Sequence, residues 1–135
     1  MKKILILFVL TSLCAITFIS CSTSVNNGIT FKNLASGDIH VNFRATLTTV
    51  KAGETVTLSN LPKGLFDYNT TYEVVPSNLP SEADGDVSGQ LDIKAGTQIL
   101  IVYSSIVTEG VYKLSASKTS SDDLNDTGNP NPVGP

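Results

Sequence analysis

Strict alternation of apolar and polar residues fills the middle of this chain, and it leaves little besides a β fold open to it. Ile39, Val41, Phe43 and Ala45 alternate with His40, Asn42 and Arg44. Phe66, Tyr68, Thr70, Tyr72 and Val74 alternate with Asp67, Asn69, Thr71 and Glu73. Val56 and Leu58 alternate with Thr55, Thr57 and Ser59. A side-chain period of two puts one set on a dry face and the other in water. Ile29 and Phe31 open a further strand, Leu91 and Ile93 a short one, and Tyr112, Leu114 and Ala116 the last. Ile99-Leu100-Ile101-Val102-Tyr103 is apolar on both faces, which predicts a central strand. Helical spacing appears nowhere after the first twenty or so residues.

Turn residues punctuate these runs: Ser36-Gly37-Asp38, Lys51-Ala52-Gly53, Leu61-Pro62-Lys63-Gly64, Ala83-Asp84-Gly85-Asp86, Lys94-Ala95-Gly96 and Glu109-Gly110. The pattern predicts an all-β fold, a single antiparallel sandwich of about seven strands over residues 28–118. A local repeat appears within it. Val50-Lys51-Ala52-Gly53 and Ile93-Lys94-Ala95-Gly96 share one pattern, and each precedes an apolar-led strand. A common hairpin type accounts for this more simply than an internal duplication.

The first twenty-one residues follow a different rule. Lys2 and Lys3 precede an apolar run from Ile4 to Leu10, which continues with interruptions to Ile19. Ser20 and Cys21 close it. This is the pattern of a helical signal peptide over residues 1–20. The cysteine directly behind a small residue resembles a bacterial lipoprotein signal. That resemblance implies that Cys21 takes a diacylglycerol, that cleavage occurs before it, and that Cys21 becomes the acylated, palmitate-bearing N-terminus. Ile19 and Ser20 fit the lipobox, whereas Phe18 stands where the family usually has Leu. Cys14 is the competing cysteine, but Leu13 before it is too large for the small-residue site. Ordinary secretion with Cys21 as a stray thiol, or an uncut anchor, remain the alternatives. Ser22 rather than Asp after the cysteine points to the outer membrane by the proteobacterial sorting rule.

On this reading residues 21–27 are the lipidated N-terminus and tether, and residues 119–135 a disordered tail rich in Pro, Gly, Asn and Asp. Cys14 and Cys21 are the two cysteines of the chain, so a mature domain acylated at Cys21 has no disulfide and folds by its core alone. Without Lys2 and Lys3, seven basic residues stand against twelve acidic ones. The basic residues are scattered singly, which argues against nucleic-acid binding and against a polybasic lipid patch.

The order of strands and turns is similar to that of DUF4397-type domains of exported bacterial proteins. Leu61-Pro62-Lys63-Gly64 followed by Tyr68, and Lys94-Ala95-Gly96-Thr97 before Ile99-Leu100-Ile101, carry the likeness. It covers about residues 29–104. Immunoglobulin-like and transthyretin-like sandwiches use the same turns. The resemblance implies a fold and a location but no reaction.

Candidate chemistry is sparse. His40, the one histidine, sits on a polar strand face and reads as a surface residue. Glu82, Asp84 and Asp86 alternate in a long 77–88 loop and are the candidate partner-contact residues. Their carboxylates could serve Ca²⁺, but Gly85 lies between acids and no distant Glu completes an EF-hand, so a solvated acidic loop is the simpler reading. No metal, cofactor or small-molecule substrate is expected. The row of Phe66, Tyr68 and Tyr72 reads as core rather than a stacking platform. The expectation is a non-enzymatic, membrane-anchored envelope module with a protein or glycan partner. The alternative is an inhibitor lipoprotein that plugs a foreign lysozyme or protease with the 77–88 loop.

Overall fold

The computed structural model describes residues 26–125; the signal peptide, Cys21 and the tail beyond Asn125 lie outside them. The described residues form two sheets packed face to face. The strands in chain order are β1 (Gly28–Leu34), β2 (Ile39–Phe43), β3 (Thr46–Val50), β4 (Thr55–Ser59) and β5 (Gly64–Tyr72). They continue with β6 (Ser81–Gly85), β7 (Ser88–Ile93), β8 (Gln98–Thr108) and β9 (Val111–Ser120). A short helix, α1 (Ser121–Asn125), follows. Sheet A runs β4-β1-β8-β9-β6 and sheet B runs β3-β2-β5-β7.

The all-β sandwich is as the alternation predicts, with nine strands rather than about seven. The two additional strands escape the apolar pattern for physical reasons. β3 lies at the edge of sheet B with only Val50 buried, and β6 is exposed along its whole length. An edge strand can be held by backbone hydrogen bonds alone, and those leave no periodicity in the sequence. Two pairings are parallel, β1 with β8 and β6 with β9; the rest are antiparallel.

The core is the inward set of both sheets. Ile29, Phe31, Ile99, Ile101, Tyr103, Tyr112 and Leu114 come from sheet A, and Ile39, Val41, Phe43, Val50, Tyr68, Leu91 and Ile93 from sheet B. Phe66 and Tyr72 pack partly buried against this cluster, so the aromatic row belongs to the core. Ala45 does not continue the inward row of β2. It is exposed and sits with Arg44 in a β2–β3 turn where both have left-handed φ, 53° and 58°. β8 is the middle strand of sheet A, as its apolar run predicts. Its outer side is open, however, with Leu100 39% and Ile106 62% exposed.

The two Lys-Ala-Gly turns are not hairpins. Each carries the chain from sheet B to sheet A, β3 to β4 and β7 to β8. Glu54 N donates to Lys51 O at 2.9 Å and Thr97 N to Lys94 O at 3.3 Å. Gly53 and Gly96, at φ 81° and 83°, take the positive φ that a type II turn needs at its third residue. The shared sequence thus encodes a shared corner between layers.

The fold also extends past Lys118. β9 runs through Ser120, and α1 is tied back onto the start of β8. Thr97 Oγ1 donates to Asp122 Oδ2 at 2.8 Å, and Gln98 N donates to Ser121 Oγ at 3.0 Å. The first residues of the expected tail are therefore part of the domain, held by polar groups rather than by apolar burial.

Candidate functional site

The acidic segment between Ser77 and Ser88 is not a free loop. Ser81–Gly85 forms β6, which pairs in parallel with β9 at the edge of sheet A. Glu82 lies opposite Lys113, and Lys113 Nζ stands 3.5 Å from Glu82 Oε2; both are exposed. Asp84 accepts from the Gly85 N–H at 2.8 Å. Asp86 turns inward and is half-buried. Its Oδ2 accepts from Lys118 N at 2.9 Å, its N–H donates to Ala116 O at 2.8 Å, and its carbonyl accepts from Tyr68 Oη at 2.7 Å. The three acids thus do not converge. Two face solvent on an edge strand and the third fastens that strand to the sandwich. Among the described residues no three His, Cys, Asp or Glu side chains are grouped as a cation would require.

His40 stands on the outer face of sheet B, as its polar-face position predicts. Its Nδ1 is 3.0 Å from Thr49 Oγ1, and its Nε2 is 4.0 Å from Glu73 Oε1. A hydroxyl, an imidazole and a carboxylate are therefore aligned, an arrangement invisible in the sequence because it depends on β2 lying between β3 and β5. Acyl-transfer chemistry also needs donors aimed at a developing oxyanion and walls that exclude water. Thr49 and Glu73 are both exposed on an open sheet face, so the group is a surface hydrogen-bonded cluster.

Two tyrosines carry the electrostatic signature of the interior. The Tyr68 hydroxyl is pushed well above its usual pKa, first by burial and then by the neighbouring Tyr103 and Asp86. Burial also raises Tyr103, and its hydrogen bond with Thr70 Oγ1 at 2.9 Å opposes that rise. Tyr68 donates to the Asp86 carbonyl, and Tyr103 shares a hydrogen bond with Thr70 between the layers. Among the described residues the hydroxyl of Tyr112 has no hydrogen-bond partner although buried, its ring stacked on Tyr72 with centroids 6.0 Å apart.

The surface clefts are shallow. One of 190 Å³ lies between β7 and the end of β9, lined in part by Gln90, Asp92, Lys118 and Asp122. Another of 310 Å³ lies between the edge strands β3 and β4, lined in part by Phe43, Arg44 and Leu61. Arg44 stacks on Phe66 at 5.3 Å, and Phe66 meets Phe43 edge to face. Both clefts open to solvent. What the surface offers is contact area: an acidic edge strand, and exposed Leu34, Ile106 and Val107 where β1 ends and the β8–β9 hairpin projects. No helix among the described residues is long and apolar enough to cross a membrane.

No protein-family model matches this chain, and no curated protein matches it in sequence.

Proposed function

We propose that this protein is an exported lipoprotein, anchored through Cys21 in the outer membrane, whose sandwich acts as a non-enzymatic binding or structural module of the bacterial envelope. The observation that carries the reading is Cys21 itself, placed behind Ser20 at the end of a charged-then-apolar leader and a few residues before the fold begins at Gly28. The likeness to DUF4397-type domains is part of the same reading. Its support is that both Lys-Ala-Gly motifs serve as equivalent corners of one sandwich.

The inhibitor alternative called for a protruding 77–88 loop. That segment instead holds an acidic edge strand, which weighs toward assembly along a sheet edge or with a protein or glycan surface. The decisive experiment is Cys21→Ser in the full chain. The substitution should move the protein from the membrane to the soluble fraction and abolish incorporation of labelled palmitate. Label that persists in the variant overturns the anchor.

A further inference from the structure

Among the described residues the strand directions sort all connections but one to one of two poles; the Asp86–Val87 link between β6 and β7 lies between them. β1 and β8 rise together, while β4 and β9 descend. The start of β1, the Arg44–Ala45 turn, the Asn60–Lys63 loop, the Lys94–Gly96 turn and α1 all lie at one pole. The Ser36–Asp38 turn, the Lys51–Glu54 corner, the 73–80 loop and the β8–β9 turn lie at the other.

The N-terminal strand is clamped at the first pole. Asn27 is 4% exposed. Its Nδ2 donates to Leu61 O at 3.0 Å, and its Oδ1 accepts from Gly96 N at 2.7 Å. Gly28 N donates to Thr97 O at 3.0 Å, and Asn26 O accepts from Gln98 Nε2. Only Ser22, Thr23, Ser24 and Val25 separate Cys21 from Asn26. Fully extended, that stretch reaches about 17 Å. β8 alone, at about 3.3 Å per residue, spans about 35 Å from one pole toward the other.

Charge divides along the same axis. The half toward the first pole holds Arg44, Lys63, Lys94 and Lys118 against Asp67, Asp86, Asp92, Asp122 and Asp123, and has Leu47 and Leu65 exposed. The opposite half holds Asp38, Glu54, Glu73, Glu82, Asp84 and Glu109 against Lys32, Lys51 and Lys113. An anionic headgroup layer repels the opposite half, with three acids in excess, more strongly than the first half, with one, over a screening length of about 8 Å. Exposed Ile106 and Val107 lie in the acidic half, where that repulsion keeps them off the bilayer.

We propose that the sandwich stands on the pole built by the Arg44–Ala45 turn, the Asn60–Lys63 loop and the Lys94–Gly96 turn, which faces the lipid surface, and holds the acidic β8–β9 pole away from it. This rests on the anchor at Cys21, and the two ideas fail separately. An acylated Cys21 has no free thiol, so Lys63→Cys or Thr108→Cys in the mature lipoprotein presents a single reactive thiol for a fluorophore. Both positions are exposed. The labelled protein is reconstituted into phosphatidylethanolamine–phosphatidylglycerol vesicles carrying a headgroup quencher. With a reach of about 17 Å against a body of about 35 Å, the Lys63→Cys label should be quenched at least roughly threefold more than the Thr108→Cys label. Equal quenching, with one thiol titrated, means that the domain lies on its side and overturns the orientation alone. Two titratable thiols mean that Cys21 is free, and overturn the anchor and the orientation together. Unchanged circular dichroism is required of both variants. If either misfolds, Lys94→Cys and Ile106→Cys replace the pair with the same expected order.

Discussion

Tyr68 donates its hydroxyl to the carbonyl of Asp86 at 2.7 Å, and this bond ties an inner strand of sheet B to the end of the edge strand of sheet A. The Tyr68 side of the bond is legible in the alternation of β5. The Asp86 side is not, because it depends on β6 crossing back over the sandwich.

Tyr68→Phe keeps the ring in the core and removes only the bridge, leaving the Asp86 carbonyl one donor short. The loss should be about 1 kcal/mol, read as a shift in the urea midpoint with an unchanged slope. A change in slope would mean that β6 has come loose as a unit.

Alkaline pH should weaken the fold through the same tyrosines. Burial raises the pKa of Tyr68 and Tyr103 above the usual tyrosine value of about 10. The folded state therefore keeps protons that the unfolded chain gives up. Their contribution is complete below about pH 10 and is lost progressively as pH rises through the folded values. Urea midpoints measured from pH 8 to pH 11 should fall above pH 10, and Tyr68→Phe should flatten that fall. A midpoint independent of pH in this window would contradict the assignment.

Ile101 is wholly buried in the middle of β8, whereas Thr55 is exposed on edge strand β4. Ile101→Ala should cost about 2–5 kcal/mol, and Thr55→Ala under about 0.5 kcal/mol. Comparable losses by chemical denaturation would show that the inward face of β8 has been misassigned.

Gly85 and Gly110 separate backbone freedom from packing. Both have positive φ, 77° and 75°. A methyl group at Gly85 would collide with the Ala116 carbonyl oxygen, while nothing lies within 4 Å of one at Gly110. Gly110→Ala should cost only the conformational term, about 1 kcal/mol. Gly85→Ala should cost more and expose the backbone amides of β6 and β9 to hydrogen exchange. Equal effects would place Gly85 outside the packed edge.

Truncation should locate the end of the domain at α1. Removing residues 126–135 should leave Tm unchanged. Removing everything after Thr119 also deletes the Ser121 and Asp122 bonds to Gln98 and Thr97. If those bonds contribute about 1 kcal/mol together, Tm should fall by about 4–8 °C.

The sequence by itself determined the class of fold and most of its core. Ile39, Val41, Phe43, Tyr68, Leu91, Ile93 and Leu114 all take the buried face that their period-two placement predicts. Burial of a whole strand face is a local rule, readable one residue at a time. The tertiary structure alone decided which strands are neighbours, because pairing is a long-range choice among strands of similar face. The parallel contact of β1 with β8 and the docking of acidic β6 against β9 leave no local mark. Nor do the Thr49–His40–Glu73 cluster, which needs three strands in register, or the Asn27 clamp, which joins two loops distant in sequence. Ser120 to Asp122 look like tail because they are polar, yet they are held, because hydrogen bonds to a fixed strand end can order a segment without any apolar surface to bury.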